Sequence, residues 1–62
     1  MSDSEYIQIQ VDIGTPSGTW RTMNTVVNYS DYIAHAMKQL ANSNPGKRIR
    51  AVDSNGRLVD ML

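Results

Sequence analysis

Histidine is the residue type that exchanges a proton near neutral pH, and this chain carries one, His35. Asp31 precedes it by four residues, a spacing that sets the two side by side on a helix. Acid–base catalysis would need a nucleophile or a second carboxylate beside the imidazole. A lone Asp–His pair on a helix is ordinarily a weak, solvated contact. Two other segments resemble known chemistry. Asp53-Ser54-Asn55-Gly56 has the opening of a calcium loop, but the late carboxylate ligand of that loop is missing. Gly14-Thr15-Pro16-Ser17-Gly18-Thr19 is rich in glycine, yet it lacks the Lys-Ser/Thr pair of a phosphate-binding loop and no helical pattern follows it. The chain is therefore expected to be non-enzymatic, with no catalytic residues, no metal site and no cofactor.

Binding chemistry is better represented. Lys47, Arg48, Arg50 and Arg57 gather four of the six basic residues near one segment, and Trp20 or Tyr6 could add a stacking surface. That combination suits single-stranded nucleic acid or a phosphate-rich ligand. Six acidic residues balance the six basic ones, so no long-range field draws a polyanion or an anionic membrane. The stronger reading is a protein interface. Tyr6, Val26, Val52, Leu58 and Leu62, together with Trp20, interrupt a polar surface of Gln8, Gln10, Thr22 and Asn24. Tyr6, Trp20, Arg48, Arg50, Val52, Leu58 and Leu62 form the candidate partner-binding set, because aromatic and arginine anchors are what interfaces favour. The expected partner is a second copy, as a homodimer, or another protein, with self-association through the uncovered sheet face or an edge strand.

These residues must be positioned by regular elements. Tyr6 to Ile13 alternates strictly, with Ile7, Ile9, Val11 and Ile13 on one side, and reads as a half-buried strand. Gly14 to Gly18 breaks it as a hairpin loop. Trp20 to Val27 is a second strand in which the alternation predicts Met23, Thr25 and Val27 inward, with Trp20 and Val26 on the opposite face. Asn28 or Ser30 is suited to cap a helix start, with Asp31 in the first turn. Ile33, Ala36, Met37, Leu40 and Ala41 then keep the spacing of one helical face. Pro45 and Gly46 end that helix.

Asp53 to Arg57 is a hairpin signal whose register follows from side-chain pairing. A two-residue Asn55-Gly56 turn would set Ala51 opposite Asp60 and Arg50 opposite Met61, mixing charge with apolar groups. A turn with Gly56 in a left-handed bulge position pairs Asp53 with Arg57, Ala51 with Val59, Arg50 with Asp60 and Ile49 with Met61, and is the register expected.

The resulting class is α+β, a small ββαββ domain in which one helix packs on one face of a four-stranded antiparallel sheet. Ile7, Ile9, Val11, Ile13, Met23, Val27, Ile49, Ala51, Val59 and Met61 would face Ile33, Met37 and Leu40. Residues 1–5 are expected to be a disordered tail and 6–62 a single domain. A chain of this size buries only about 60% of its unfolded surface. Without cysteine to staple it, self-association is the stabilising device left open. The absence of cysteine, of a signal-peptide pattern and of a long apolar run predicts a soluble, cytoplasmic protein. The size and the missing catalytic set would suit an accessory or inhibitory protein of a bacterium or a mobile element.

Overall fold

The computed structural model describes residues 5–14 and 19–62. Most of the expected tail and of the loop at 14–18 lies outside them. The elements run β1 (Tyr6–Asp12), β2 (Trp20–Val27), α1 (Ser30–Ser43), β3 (Ile49–Val52) and β4 (Leu58–Met61). The strands form one antiparallel sheet in the order β2-β1-β3-β4. Two hairpins, β1–β2 and β3–β4, are thus joined through β1 and β3, and α1 carries the chain across from β2 to β3. The domain is the expected ββαββ arrangement with one helix and four antiparallel strands.

β1 and β3 make the centre. Ile7, Ile9 and Val11 of β1 and Ile49 and Ala51 of β3 project to one side, where Ile33, Ala36 and Met37 of α1 close over them. Val26, Leu40 and Ala41 pack at the margin of this core. Ile9 and Ala51 face each other across the strands and are both 0% exposed. The helix periodicity is realised as read, because three- and four-residue steps keep one stripe against the sheet. Its start differs from expectation. Tyr29 occupies the N-cap position and supplies no side-chain hydrogen bond there, which leaves Asp31 in the first turn to complement the helix end. At the other end the Asn44 side-chain amide and backbone N–H both donate to the Leu40 carbonyl, at 2.9 and 2.8 Å.

The outer strands correct the expected core. Ile13, just past the end of β1, is exposed, and so are Met23, Val27, Val59 and Met61 of the outer strands, these four for two reasons. The helix touches β1, β2 and β3 but, among the described residues, not β4, so neither face of β4 is covered. Each edge strand also carries a bulge. In β2 the pairing passes from Ile9↔Asn24 to Gln10↔Thr22, leaving Met23 extra, and in β4 it passes from Ala51↔Asp60 to Val52↔Leu58, leaving Val59 extra. One extra residue reverses the side-chain alternation. Trp20 and Thr22 therefore lie on the side away from the helix, while Asn24 and Val26 of the same strand lie on the helix side. Val26, expected outward, faces Ile7 and joins the core margin.

The β3–β4 hairpin combines both registers considered from sequence. Next to the turn the expected one holds: Asp53 N–H donates to Arg57 C=O and Gly56 N–H to Asp53 C=O, each at 3.0 Å, and Gly56 has φ +80°. The buried Asp53 carboxylate fastens this turn by accepting from the N–H groups of Asn55 and Arg57, both at 2.9 Å. Beyond Val59 the pairs that looked unfavourable, Ala51↔Asp60 and Arg50↔Met61, are the ones formed. The mismatch costs little because β4 lies outside the helix and its side chains remain in water.

Three substitutions test this account. Ile9→Ala should cost about 2–5 kcal/mol as a core truncation, a large part of the roughly 3–9 kcal/mol that a chain of this length ordinarily has. Ile13→Ala, at a side chain 40% exposed, should cost far less; urea unfolding of both variants measures the contrast. Gly56→Val should cost about 1–2 kcal/mol through the positive φ alone, since a Cβ there would meet nothing within 4 Å, and the same unfolding curves read it.

Candidate functional site

With α1 on one side, no element among the described residues covers the other side of the sheet, whose residues follow from strand parity. β1 contributes Tyr6, Gln8, Gln10 and Asp12, β2 contributes Trp20, Thr22, Thr25 and Val27, β3 contributes Arg50 and Val52 with Arg48 just before it, and β4 contributes Leu58 and Met61. The centre of this face is polar and ordered. Arg50 Nε donates to Gln10 Oε1 at 2.8 Å. Gln10 Nε2 donates to Thr22 Oγ1 at 3.1 Å, and Thr22 Oγ1 donates to Gln8 Oε1 at 3.3 Å. The chain of donors runs one way, from the guanidinium on β3 across β1 to β2 and back. It holds the two glutamine amides in fixed orientation, since reversing either would place like groups against each other.

Arg50 also reaches over β1 to Trp20, its guanidinium carbon 4.2 Å from the indole centroid. This is cation–π stacking distance, and both residues are half-buried as a result. The stack and the Gln10 bond together orient Arg50, whose delocalised, weakly hydrated charge suits a contact surface better than an ammonium would. Leu58 lies exposed on the same face in the row of Gln8 and Val52, and Tyr6 and Val27 lie exposed at the end of the face away from the stack. Arg48 adds a second cation on the same face, with its Nη2 3.9 Å from Met61 Sδ.

Of the sequence-selected set, the structure brings Tyr6, Trp20, Arg48, Arg50 and Leu58 onto this one face. Val52 belongs to it by parity but is 4% exposed and offers almost no surface. Leu62 does not belong to it. Its N–H donates to Ile49 C=O, and the bulge at Val59 turns it toward the helix side, where it is 64% exposed. Met61 and Val27, expected inward, are on the outer face instead. Simple alternation missed both because each follows a bulge.

The four basic residues proposed as a polyanion site are divided. Arg57 pairs with Asp53 at the turn, whereas Lys47 and Arg48 precede β3; five residues of extended chain separate the two ends by about 16 Å. Arg50 and Asp60 fall on opposite faces, so the ion pair expected between them does not form. Asp31 and His35 are both exposed on α1. Among the described residues no group of three His, Cys, Asp or Glu side chains could hold a metal ion, and no helix is long and apolar enough to cross a membrane. Compared with known proteins, the chain matches no family model, no curated protein and no solved structure, so its function has to be argued from this face.

Trp20 is the only tryptophan, which makes the stack directly observable. Arg50→Ala should shift the tryptophan emission maximum and cost about 0.5–1 kcal/mol of stability, with Arg50→Lys intermediate because it keeps the charge and loses the planar guanidinium. An emission spectrum unchanged in Arg50→Ala would show that the stack is not populated in solution.

Proposed function

We propose that the chain is a non-enzymatic protein-interaction module that associates, with a second copy of itself or with another protein, through the outer face of its sheet. The observation that carries this reading is the ordered Arg50–Trp20 stack and glutamine–threonine network on an uncovered face, rimmed by exposed Tyr6, Val27, Leu58 and Met61. Interfaces favour aromatic and arginine anchors at the centre with side chains already held in place, because ordering them beforehand removes an entropic cost of binding. A small core also benefits from further burial, and a homodimer would supply it. The reading extends to a cytoplasmic location and to an accessory or inhibitory role in a bacterium or a mobile element, supported by the chain's size and its lack of cysteine.

A second reading, binding of single-stranded nucleic acid or a phosphate-rich ligand, is favoured by one observation: Arg48, Arg50 and Trp20 share the outer face. The separation of Arg57 from Lys47 and Arg48, and the commitment of Arg50 to Gln10 and Trp20, weigh against it.

Sedimentation equilibrium tests the first reading. Leu58→Asp, at a side chain 59% exposed on the outer face, should weaken association tenfold or more, equivalent to about 1.4 kcal/mol, while Leu62→Asp on the helix side should leave it unchanged. A wild-type monomer at high micromolar concentration would remove the homotypic form and leave a heterologous partner. In parallel, salt-dependent binding of mixed oligonucleotides at low ionic strength, lost in Arg48→Ala, would favour the second reading instead.

A further inference from the structure

The two edges of the sheet are finished in the same way. In an antiparallel strand, successive residues direct their backbone N–H and C=O alternately toward one neighbour and the other. Asn28 N–H donates to Glu5 C=O at 2.9 Å, so Val26 also faces β1 while Thr25 directs its N–H out of the sheet. At the opposite edge Leu62 N–H donates to Ile49 C=O at 3.0 Å, so Met61 directs its N–H outward. Val27 on β2 and Leu58 on β4 direct their N–H outward by the same alternation, but the outward N–H beside each bulge is engaged. Asn24 Oδ1 accepts from Thr25 N–H at 2.9 Å, and Asp60 Oδ1 accepts from Met61 N–H at 2.8 Å.

Both accepting residues sit beside a bulge, and both bulges stand in one line across the sheet. Asn24 is opposite Ile9, Ile9 is opposite Ala51, and Ala51 is opposite Asp60. One row therefore has the two most completely buried side chains at its centre and an Asx residue next to a bulge at each end. A bulge bends the edge away from a regular ladder, and an inward-pointing charge or a blocked donor removes what an incoming strand would pair with. In β4 such protection matters most. Its exposed Leu58, Val59 and Met61 would otherwise make a short apolar edge available to any extended chain.

We infer that Asn24 and Asp60 are edge clasps: each folds its side-chain oxygen onto the outward N–H beside a bulge, and together they prevent a strand from a second copy or an extended peptide from adding to either end of the sheet. The clasp needs an acceptor oxygen on the side chain and not a charge, since asparagine performs it on β2 and aspartate on β4. It does not depend on how the outer face is used.

The test compares the full chain with Asn24→Ala, Asp60→Ala and the double variant, and with Asn24→Asp and Asp60→Asn, which keep the acceptor. Amide exchange followed by NMR should be about fivefold faster at Thr25 in Asn24→Ala and at Met61 in Asp60→Ala, the factor expected for losing one hydrogen bond, and near wild type in the two conservative variants. The alanine double variant, folded by circular dichroism, should form thioflavin-positive assemblies at concentrations where the wild type and the conservative variants do not. Unchanged exchange in the alanine variants would overturn the inference, because the bonds would then be absent in solution. So would faster exchange with no gain in assembly, or Asp60→Asn assembling as readily as Asp60→Ala, which would assign the protection to charge.

Discussion

A helix is about 10 Å across with its side chains, and strands lie about 4.8 Å apart, so one helix shields two or three strands and no more. α1 is the only helix among the described residues and the sheet has four strands. Placing the helix over β1 and β3, with its margin over β2, buries Ile7, Ile9, Val11, Ile49 and Ala51. Among the described residues it leaves β4 out of the helix's reach and no element over the far side of the sheet. Most of what distinguishes this molecule follows from that shortfall in cover. β4 takes a register that mixes charge with apolar groups, and the apolar side chains of β4 remain exposed.

The open face is polar at its centre for a related reason. Gln8, Gln10, Thr22 and Arg50 stand back to back with the best-buried part of the core, on strands held by backbone pairing to β1 or β3. Side-chain hydrogen bonds between neighbouring strands survive in water when the backbone already holds their partners in place. The Arg50–Trp20 stack spans β1 and ties β3 to β2 on the side that the helix does not reach. An ordered surface of this kind loses little conformational freedom when it meets another molecule, and for that reason it is the candidate for function while the exposed Asp31–His35 pair is not.

Bulges link these two sides of the molecule. Each reverses the alternation of an edge strand, sends Trp20 and Met61 to the open face, and returns Asn24 and Asp60 to the helix side, where their oxygens reach the outward N–H groups. The same two irregularities thus build the candidate contact face and close the edges beside it.

The sequence by itself determined the element types and their order, the inner face of β1, the helical stripe Ile33, Ala36, Met37, Leu40 and Ala41, and the left-handed Gly56. Each rests on local rules: a period of two, a period near 3.6, and a turn geometry that only glycine accepts easily. Only the tertiary structure decided the strand order, the placing of Trp20 under Arg50, the burial of Val52, and the opposite faces of Leu58 and Leu62. Alternation fixes a side chain's face only if no residue is inserted in the ladder. Whether one is inserted depends on a neighbouring strand distant in the chain, and on whether the helix above leaves room for the slip.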